Sequence, residues 1–415
     1  MPKSIGKSDI SDAKPIDTAA RACYNHLIDA KSMTDRGTDA RFSAAEKSAK
    51  KIQEIYIMAN KKAIAAMSGG VDSSVTAYLL SRLGYDVIGV TLRLIGAEHA
   101  ADALSGTSAE AEDARAVCEK LGMEHRTIDF TNEFRENVIE RFCSAYLNGF
   151  TPNPCVECNK YIKFDKMLEC VKAMDCDAFA TGHYARIERG GSGRFLLKKA
   201  ADLSKDQSYF LYSLSQEQLS KVLFPLGTLT KAEVREIAEE QGLVTARKKD
   251  SQDICFIPDG DFAGFIKRYK ELEPTPGRFI DSAGVTLGEH SGAYTFTIGQ
   301  RKGLGIALGK PAYVLSTDIA ANTVTLGEND ELFRRRLEAD EVNLIAADRL
   351  DTPVRVEAKI RYSHKTAAAT AVQTGDDRLI VEFDEPQRAI TPGQSVVLYD
   401  GDTVIGGGKV KRALD

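Results

Sequence analysis

The most informative stretch of the sequence reads Ala63-Ile64-Ala65-Ala66-Met67-Ser68-Gly69-Gly70-Val71-Asp72-Ser73-Ser74. It joins a short apolar run to a Ser-Gly-Gly turn, and a helix pattern follows the turn. Ser73 is the predicted N-cap of that helix, and Gly84 stands where its C-terminus is expected. A buried strand, a glycine turn and a helix in this order are typical of an α/β domain with a parallel sheet.

The glycine pair predicts a phosphate site. Because Gly69 and Gly70 carry no side chain, the backbone can approach an anion, and the loop amides and the helix N-terminus then point at it. Asp72 is placed to hold a magnesium ion beside the phosphates. A Walker loop would carry a lysine that this turn lacks. The alternative is a plain glycine turn between strand and helix.

The string Ser68-Gly69-Gly70-Val71-Asp72-Ser73 resembles the pyrophosphatase loop of ATP-using enzymes that release pyrophosphate. That superfamily includes GMP synthetases, argininosuccinate synthetases and several tRNA-modifying enzymes. By this resemblance the loop implies adenylation of a substrate, and it leaves the substrate open.

The bulk composition is that of an ordinary globular protein. The 415 residues are enough for two or three domains, with 43% apolar and 28% charged residues. No apolar run approaches the roughly 18 residues needed to cross a bilayer, and the N-terminus has no signal pattern. We therefore expect a cytoplasmic protein with no membrane partner. The net charge of −5 neither indicates nor excludes nucleic acid, because a local basic groove can bind phosphates.

The predicted fold class is α/β, a doubly wound parallel sheet followed by two small mostly-β domains, the last a β-barrel. Residues 1–60 are polar and are predicted to be an appended, mobile extension with two helical patterns, 16–33 and 44–58. Strands and helices alternate after residue 61, and turn-rich β patterns replace them in the last third. The predicted boundaries are 61–268 for the first domain, 269–338 for a central β-rich domain and 339–415 for the barrel.

Ligands of open α/β sheets lie at the carboxyl ends of the strands. Residues 68–73, Leu92 and the pair Gly182-His183 follow or end predicted strands, and we expect them to converge there.

The eight cysteines are too few for a disulfide scaffold in a chain of this length. Cys155 and Cys158 lie in a proline-containing loop before a helix pattern, where amide dipoles favour the thiolate, and Lys160 and Lys163 are expected to help. A C-x-x-C pair is compatible with a redox pair, half a zinc site or part of an iron–sulfur site.

The other cysteines divide by position. Cys255 follows polar residues, which indicates an exposed loop. Helical patterns place Cys118, Cys143 and Cys170 in packed positions. Cys176 is expected in a surface loop, and Cys23 is interpreted as incidental.

Spaced motifs now carry a closer resemblance. Besides the loop, they read Asn153-Pro154-x-x-x-Cys158-Asn159-Lys160, Thr181-Gly182-His183-Tyr184-Ala185-Arg186, Lys205-Asp206-Gln207-Ser208-Tyr209-Phe210-Leu211, Ser251-Gln252-Asp253-Ile254-Cys255-Phe256 and Gly299-Gln300-Arg301-Lys302-Gly303-Leu304-Gly305. Together these motifs resemble the bacterial tRNA-specific 2-thiouridylase family over roughly residues 61–412. The resemblance implies an adenine nucleotide alpha hydrolase-like sheet and tRNA lying across all three domains, including the C-terminal barrel.

The resemblance also implies the reaction, which is 2-thiolation of the wobble uridine of tRNA. ATP adenylates the C2 oxygen, pyrophosphate leaves, and a sulfur nucleophile then displaces AMP. The implied catalytic residues are Asp72, Cys158 and Cys255. By this analogy Cys255 receives sulfur as a persulfide from a donor protein, a cysteine desulfurase or a sulfur relay carrier. Cys158 acts as nucleophile or forms a disulfide with Cys255.

Further site residues follow from the matching motifs. The implied ATP contacts are Ala66, Met67, Ser68, Gly69, Gly70, Val71, Asp72, Ser73, Leu92 and Gly182, with magnesium at the phosphates. The implied tRNA contacts are His183, Asp206, Gln207, Ser208, Arg361, Tyr362 and Gln394, while Asn153, Pro154 and Cys155 would face the extruded target base. The alternatives are a hydrogen-bonded His183 at a strand end, and a solvated strand face for the Arg-Tyr pair.

Cys155 departs from the family pattern, because many members carry aspartate at this position. A thiol cannot replace a carboxylic acid of ordinary pKa. One hypothesis is that Cys155, Cys158 and Cys255 ligate an iron–sulfur cluster with one iron open to sulfide. The alternative is a persulfide relay in which Cys155 is a spare or resolving thiol.

Two other functions compete with thiolation. Another adenylating enzyme, such as an amidotransferase-type synthetase, would need an ammonia source, and the sequence has no glutaminase nucleophile pattern. A non-catalytic nucleotide- and RNA-binding module would keep its role without Cys158 and Cys255.

Overall fold

A computed structural model describes residues 61–96, 108–248 and 254–415. The helices predicted over 16–33 and 44–58, and Cys23, lie outside the described residues. Among the helices of the described part, none is long and apolar enough to span a membrane.

The first part of the described chain alternates strands and helices. Its strands are β1 (Lys62–Ala66), β2 (Asp86–Arg93), β3 (Glu124–Asp129), β4 (Ala178–Ala180), β5 (Ala185–Arg189), β6 (Phe195–Lys199) and β7 (Val222–Leu223). Its helices are α1 (Val71–Arg82), α2 (Ser108–Leu121), α3 (Thr131–Phe134), α4 (Glu140–Leu147), α5 (Pro154–Glu157), α6 (Asp165–Ala173), α7 (Gln216–Lys221), α8 (Lys231–Glu240) and α9 (Phe262–Tyr269). A π-helical segment, Arg135–Ile139, joins α3 to α4, and another, Cys158–Phe164, joins α5 to α6.

Five of these strands form a parallel sheet in the order β3-β2-β1-β4-β7. Side chains alternate between the two faces of β1. Ala63 and Ala65 pack with Val75 and Leu79 of α1, whereas Ile64 packs on the opposite face with Phe164. Helices therefore cover both faces, which confirms the predicted doubly wound sheet.

The ends of α1 test two predictions. Gly84 has a φ of +87° just after the helix end, as expected for a glycine stop. The predicted N-cap at Ser73 is wrong, because α1 begins at Val71 and Gly70 is its N-cap. The Ser73 hydroxyl donates to the Gly70 carbonyl at 3.0 Å, so it sits inside the first turn.

The last part of the chain is all-β, as predicted. A small sheet has the order β10-β11-β8-β9, with β8 (Gly277–Ile280), β9 (Thr286–His290), β10 (Tyr313–Asp318) and β11 (Thr323–Gly327). A barrel follows, with β12 (Phe333–Leu344), β13 (Val354–Lys359), β14 (Ala367–Gly375), β15 (Arg378–Arg388), β16 (Ser395–Asp400) and β17 (Thr403–Leu414). Pairing of β12 with β17 closes it in the order β12-β15-β14-β13-β16-β17.

Two connections hold the barrel against the α/β part. The β5–β6 hairpin adds to the barrel, since Leu197 pairs with Val404 of β17. The Thr151 amide donates to the Pro392 carbonyl at 2.8 Å, next to the loop that leads to Cys155. The barrel therefore abuts the cysteine-bearing segment.

Candidate active site

A cavity of about 320 Å³ opens at the carboxyl end of the parallel sheet. Loops after β1 and β4 meet there, as expected for an open α/β sheet. The predicted ATP residues that line it are Ala66, Met67, Ser68, Asp72, Ser73, Leu92 and Gly182. Gly69, Gly70 and Val71 were also predicted and lie in the same turn, but they are not among its lining residues.

Two glycines allow close backbone contacts at this cavity. Gly69 has a φ of +67°, and a side chain there would come within 2.5 Å of the Glu110 carbonyl oxygen of α2. A side chain on Gly182 would lie 3.0 Å from Asp72 and the Ser73 amide. Glycine at both positions lets α2 and the loop after β4 close around the turn.

The Asp72 carboxylate is bound by a lysine that is distant in sequence. Lys231, the first residue of α8, donates to both carboxylate oxygens at 2.7 and 2.8 Å. The Tyr184 hydroxyl donates to the same carboxylate at 2.9 Å. A magnesium ion at Asp72 would compete with Lys231 for these oxygens. Sequence reasoning missed Lys231, because the Thr230–Glu233 capping box marks only a helix start.

A second lysine, Lys248, contacts the backbone of the glycine turn. Lys248 donates to the Gly69 carbonyl at 3.0 Å and pairs with Asp113 at 2.9 Å. The turn lacks the Walker lysine, and Lys231 and Lys248 bring positive charge to it from later in the chain.

His183 lies on the cavity wall as a neutral imidazole. A hydrogen bond of 2.8 Å joins its Nδ1 to the Thr181 hydroxyl. Burial, and then the nearby charge of Lys163, lower the pKa of His183 to about 3. Its ring packs against Phe164 and Phe224, with centroids 5.7 and 6.0 Å away. His183 is thus a hydrogen-bonded histidine at a strand end, which is the alternative interpretation given above. It also lines the cavity.

The three predicted thiols differ in exposure. Cys155 is exposed, Cys158 is buried and Cys255 is half-buried. Burial raises the pKa of Cys158 to about 12, although Lys163 opposes the shift. Burial also raises the pKa of Cys155, so the expectation of easily ionised thiols is wrong for both cysteines. Cys158 lies after α5 instead of at a helix N-terminus, and Lys160 pairs with Glu341 at 3.7 Å.

Lys163 relates the thiols to the cavity. Its side chain lines the cavity, and its positive charge interacts electrostatically with the sulfurs of Cys155, Cys158 and Cys255. Burial opposes the charged form of Lys163, whereas each of the three sulfurs raises the pKa of Lys163 when it is ionised as a thiolate. The predicted phosphate turn and the predicted thiols therefore lie within electrostatic reach of one lysine.

The three cysteines do not form a metal site in this arrangement. Within residues 61–96, 108–248 and 254–415, no three His, Cys, Asp or Glu side chains are placed to hold a metal ion. The remaining cysteines match their predictions, since Cys118, Cys143 and Cys170 are buried and Cys176 lies half-buried in a turn.

The side chains of residues 206–208 form hydrogen bonds at the start of a short 3₁₀ helix, Ser208–Leu211. Asp206 accepts from the Ala200 amide at 3.0 Å and from the Ser208 hydroxyl at 2.8 Å. Gln207 accepts from the Tyr184 amide at 2.9 Å and also lines the cavity. Gln207 thereby helps to position Tyr184, whose hydroxyl binds Asp72.

The Arg361–Tyr362 pair follows β13, so the expectation that it lies on a strand is wrong. Arg361 is tied internally, donating to the Ala389 carbonyl at 3.0 Å and to the Ile298 carbonyl at 3.2 Å. Tyr362 is 40% exposed, and its ring lies 4.4 Å from that of Phe210.

Two further predicted contacts lie at the junction with the barrel. Gln394 donates to the Thr151 carbonyl at 2.9 Å. Asn153 caps α5, and Pro154 is its buried first residue. Gln394 therefore holds the loop that precedes Cys155, through the carbonyls of Thr151 and Pro152.

Known families match the chain in the same order as its structural parts. Residues 61–259 match the tRNA methyl transferase HUP domain, 263–328 the tRNA methyl transferase PRC-barrel domain and 334–410 the aminomethyltransferase beta-barrel domain. The tRNA-specific 2-thiouridylase MnmA of Clostridioides difficile is 49% identical over 358 residues, which are 86% of this chain and 99% of the relative. The protein of that name in Heliobacterium modesticaldum is 50% identical over 361 residues, 85% of this chain and 93% of the relative. This chain therefore belongs to the tRNA-specific 2-thiouridylase family.

Proposed function

We propose that this enzyme uses ATP to thiolate C2 of the wobble uridine of tRNA. The observation that supports it best is the position of Lys163, which lines the cavity of the phosphate turn and acts on Cys158 and Cys255. Adenylation of the C2 oxygen and attack of sulfur on C2 involve two bonded atoms, so the phosphate turn and the thiols must both reach the same C2 carbonyl, and Lys163 lies near both.

In the first step the uridine C2 oxygen attacks the α-phosphorus of ATP. A phosphorus–oxygen bond forms, the bond to the β-phosphate breaks, and pyrophosphate leaves with the electron pair. The amides of residues 68–73 and the α1 N-terminus would receive it. Asp72 is the carboxylate that would hold a magnesium ion beside the phosphates once Lys231 releases one of its oxygens, and the ion would offset phosphate charge.

In the second step a persulfide on Cys255, loaded by a sulfur-donor protein, supplies the sulfur. Its terminal sulfur attacks C2, and the bond from C2 to the AMP oxygen breaks. Cys158 then attacks Cys255, so the thiouridine sulfur leaves and a disulfide forms between the cysteines. A cellular thiol must reduce that disulfide before the next turnover.

An iron–sulfur cluster on Cys155, Cys158 and Cys255 is the competing source of sulfur. The described side chains of these three cysteines are not arranged as ligands of one metal site. The two routes differ in the number of thiols they need. The relay predicts that Cys155→Ser keeps thiolation and that anaerobically purified enzyme is active without iron. Loss of thiolation in Cys155→Ser, with iron bound to the wild type, would favour the cluster.

The tRNA would contact several of the predicted residues in different ways. Tyr362, exposed and close to the Phe210 ring, offers a face on which a base can stack. Asp206, Arg361 and Gln394 bond to the protein itself and would support the surface beside it. Asn153 and Cys155 would face the flipped uridine.

Mass analysis of nucleosides tests the proposal. tRNA is incubated with enzyme, ATP, magnesium, cysteine and a cysteine desulfurase, which supplies sulfur at the persulfide level, and is then digested. We expect 2-thiouridine with the wild type and with the control Cys170→Ala, whose thiol is buried in α6. We expect none with Cys158→Ala or Cys255→Ala, while tRNA binding is retained. Persistence of 2-thiouridine in either variant would contradict the assignment.

A further inference from the structure

The π-helical segment Cys158–Phe164 aligns two functional groups. Residues five apart on an α-helix are turned by about 140° from each other. A π-helix bonds residues i and i+5, so such residues lie one above the other. Cys158 and Lys163 are five apart within this segment. The π-helical winding therefore turns Lys163 toward the side of Cys158.

Lys163 is a cation without an anionic partner of its own. Within the part of the chain that the structure describes, its ammonium group has neither a hydrogen bond nor an ion pair. It is also the only lysine or arginine among the described residues that line the cavity. By contrast, Lys231 is paired with Asp72 and Lys248 with Asp113. An unpaired ammonium group that lines a cavity beside a predicted phosphate turn indicates an anion that the bound state supplies.

We propose that Lys163 is a further catalytic residue that binds the α-phosphate of the nucleotide in both chemical steps. This inference rests on the proposed function. The pyrophosphate turn at residues 68–73 would hold the leaving group, and Lys163, on the side of the cavity next to the thiols, would hold the phosphoryl group that stays on the uridine.

The negative charge that develops on the phosphate in each chemical step explains why a lysine would lie at the position of Lys163. When the C2 oxygen attacks, negative charge on the α-phosphoryl oxygens meets the ammonium group. When sulfur attacks C2, the bond from C2 to oxygen breaks, and AMP takes the electron pair and gains a negative charge. Lys163 would neutralise that charge without a proton transfer, and it would keep the phosphate beside Cys158 and Cys255.

The test compares Lys163→Gln with Lys163→Arg and with Lys166→Gln, a control whose lysine pairs with Glu169 on α6. Single-turnover release of pyrophosphate on mixing with tRNA measures adenylation. We expect Lys163→Gln to slow it about 100-fold, the usual effect of removing one charge-stabilising donor, and Lys163→Arg to restore most of the rate. The control should match the wild type.

ATP with one α-phosphate oxygen replaced by sulfur provides a second readout. The wild type should use the two stereoisomers at clearly different rates, and the ratio should shrink toward one in Lys163→Gln. A purely structural role would lower both rates and leave the ratio intact, which would overturn the inference, as would normal pyrophosphate release with only sulfur transfer lost. Failure of the proposed function has a different signature, since the wild type itself would then release no pyrophosphate with tRNA.

Discussion

Lys409 on the last barrel strand donates to Glu157, the residue before Cys158, at 3.2 Å. Glu157 is only 8% exposed, and Lys409 also pairs with Glu341 at 3.1 Å. Among the described residues, Arg141 is the other cation near this carboxylate, at 3.9 Å. A nearly buried ion pair thus links the barrel to the segment that carries the proposed nucleophile.

Removing Lys409 should destabilise the protein. Breaking a buried pair costs roughly 3–5 kcal/mol, and because the Lys409 side chain is 27% exposed we expect about 2 kcal/mol for Lys409→Met. The melting temperature should fall by roughly 3 °C, because the shift per kcal/mol becomes smaller as the chain becomes longer. Lys411→Met on the same strand is the control, since Lys411 is exposed and its ammonium group lies 3.9 Å from the Glu338 carboxylate. The double variant Glu157→Leu/Lys409→Met should recover most of the loss, and failure to recover would mean that the pair is not what links the two parts.

Gly69→Ala should abolish ATP binding through contact with α2. Alanine at a φ of +67° costs about 1–2 kcal/mol, and its Cβ would also meet the Glu110 carbonyl at 2.5 Å. Gly122→Ala is a matched control, because Gly122 has a φ of +69° and open space around it. Both variants should lose stability, but only Gly69→Ala should lose ATP affinity, at least tenfold by equilibrium dialysis. Equal affinities would show that the contact with α2 does not shape the turn.

The fold was predictable where a local pattern decides it. The apolar run at residues 63–66 and the glycine turn specify a buried strand followed by a helix, although not the first residue of α1, and period-two runs specify the barrel strands. The pairing of the β5–β6 hairpin with β17 was not predictable, because Leu197 and Val404 are joined only by a register between distant segments. No local signal marked the π-helical segment at Cys158 either.

The site was predictable to the extent that motifs name residues. Asp72, Gly182 and His183 reach one cavity as expected. The cations could not be predicted, since Lys231 and Lys248 meet the turn from 159 and 179 residues away in sequence. The ionisation of Cys158 was predicted in the wrong direction, because burial outweighs the dipole and charge effects that the sequence suggests.

Lys231→Gln should change the magnesium dependence of adenylation. Lys231 binds both oxygens of Asp72, so its removal frees the carboxylate for the metal. We expect half-maximal pyrophosphate release at a lower magnesium concentration, together with some loss of stability, because Asp72 loses its ion-pair partner.

Asp72→Asn should reduce pyrophosphate release by about 100- to 1,000-fold, and persulfide loading of Cys255 should persist. Tyr184→Phe, which keeps the carboxylate and the ion pair, is the control and should change the magnesium requirement little. An unchanged requirement in Lys231→Gln would remove Asp72 from the metal site.

Alkylation of Cys158 should depend on pH in a way that exposes its burial. The thiolate is the reactive form, and a pKa of about 12 in place of the ordinary 9.0 leaves about 1,000-fold less thiolate at pH 8. Iodoacetamide labelling, mapped by peptide mass spectrometry, should therefore mark the exposed Cys155 first, and labelling of Cys158 should still be rising at pH 10. Lys163 lowers the pKa of Cys158, so Lys163→Gln should slow labelling further, and Lys166→Gln should not. Sulfur transfer at neutral pH requires a Cys158 thiolate, so tRNA with a non-hydrolysable ATP analogue should accelerate labelling by changing its surroundings. Rapid labelling of Cys158 at pH 7 in the free enzyme would show that its thiol is already ionised without substrate.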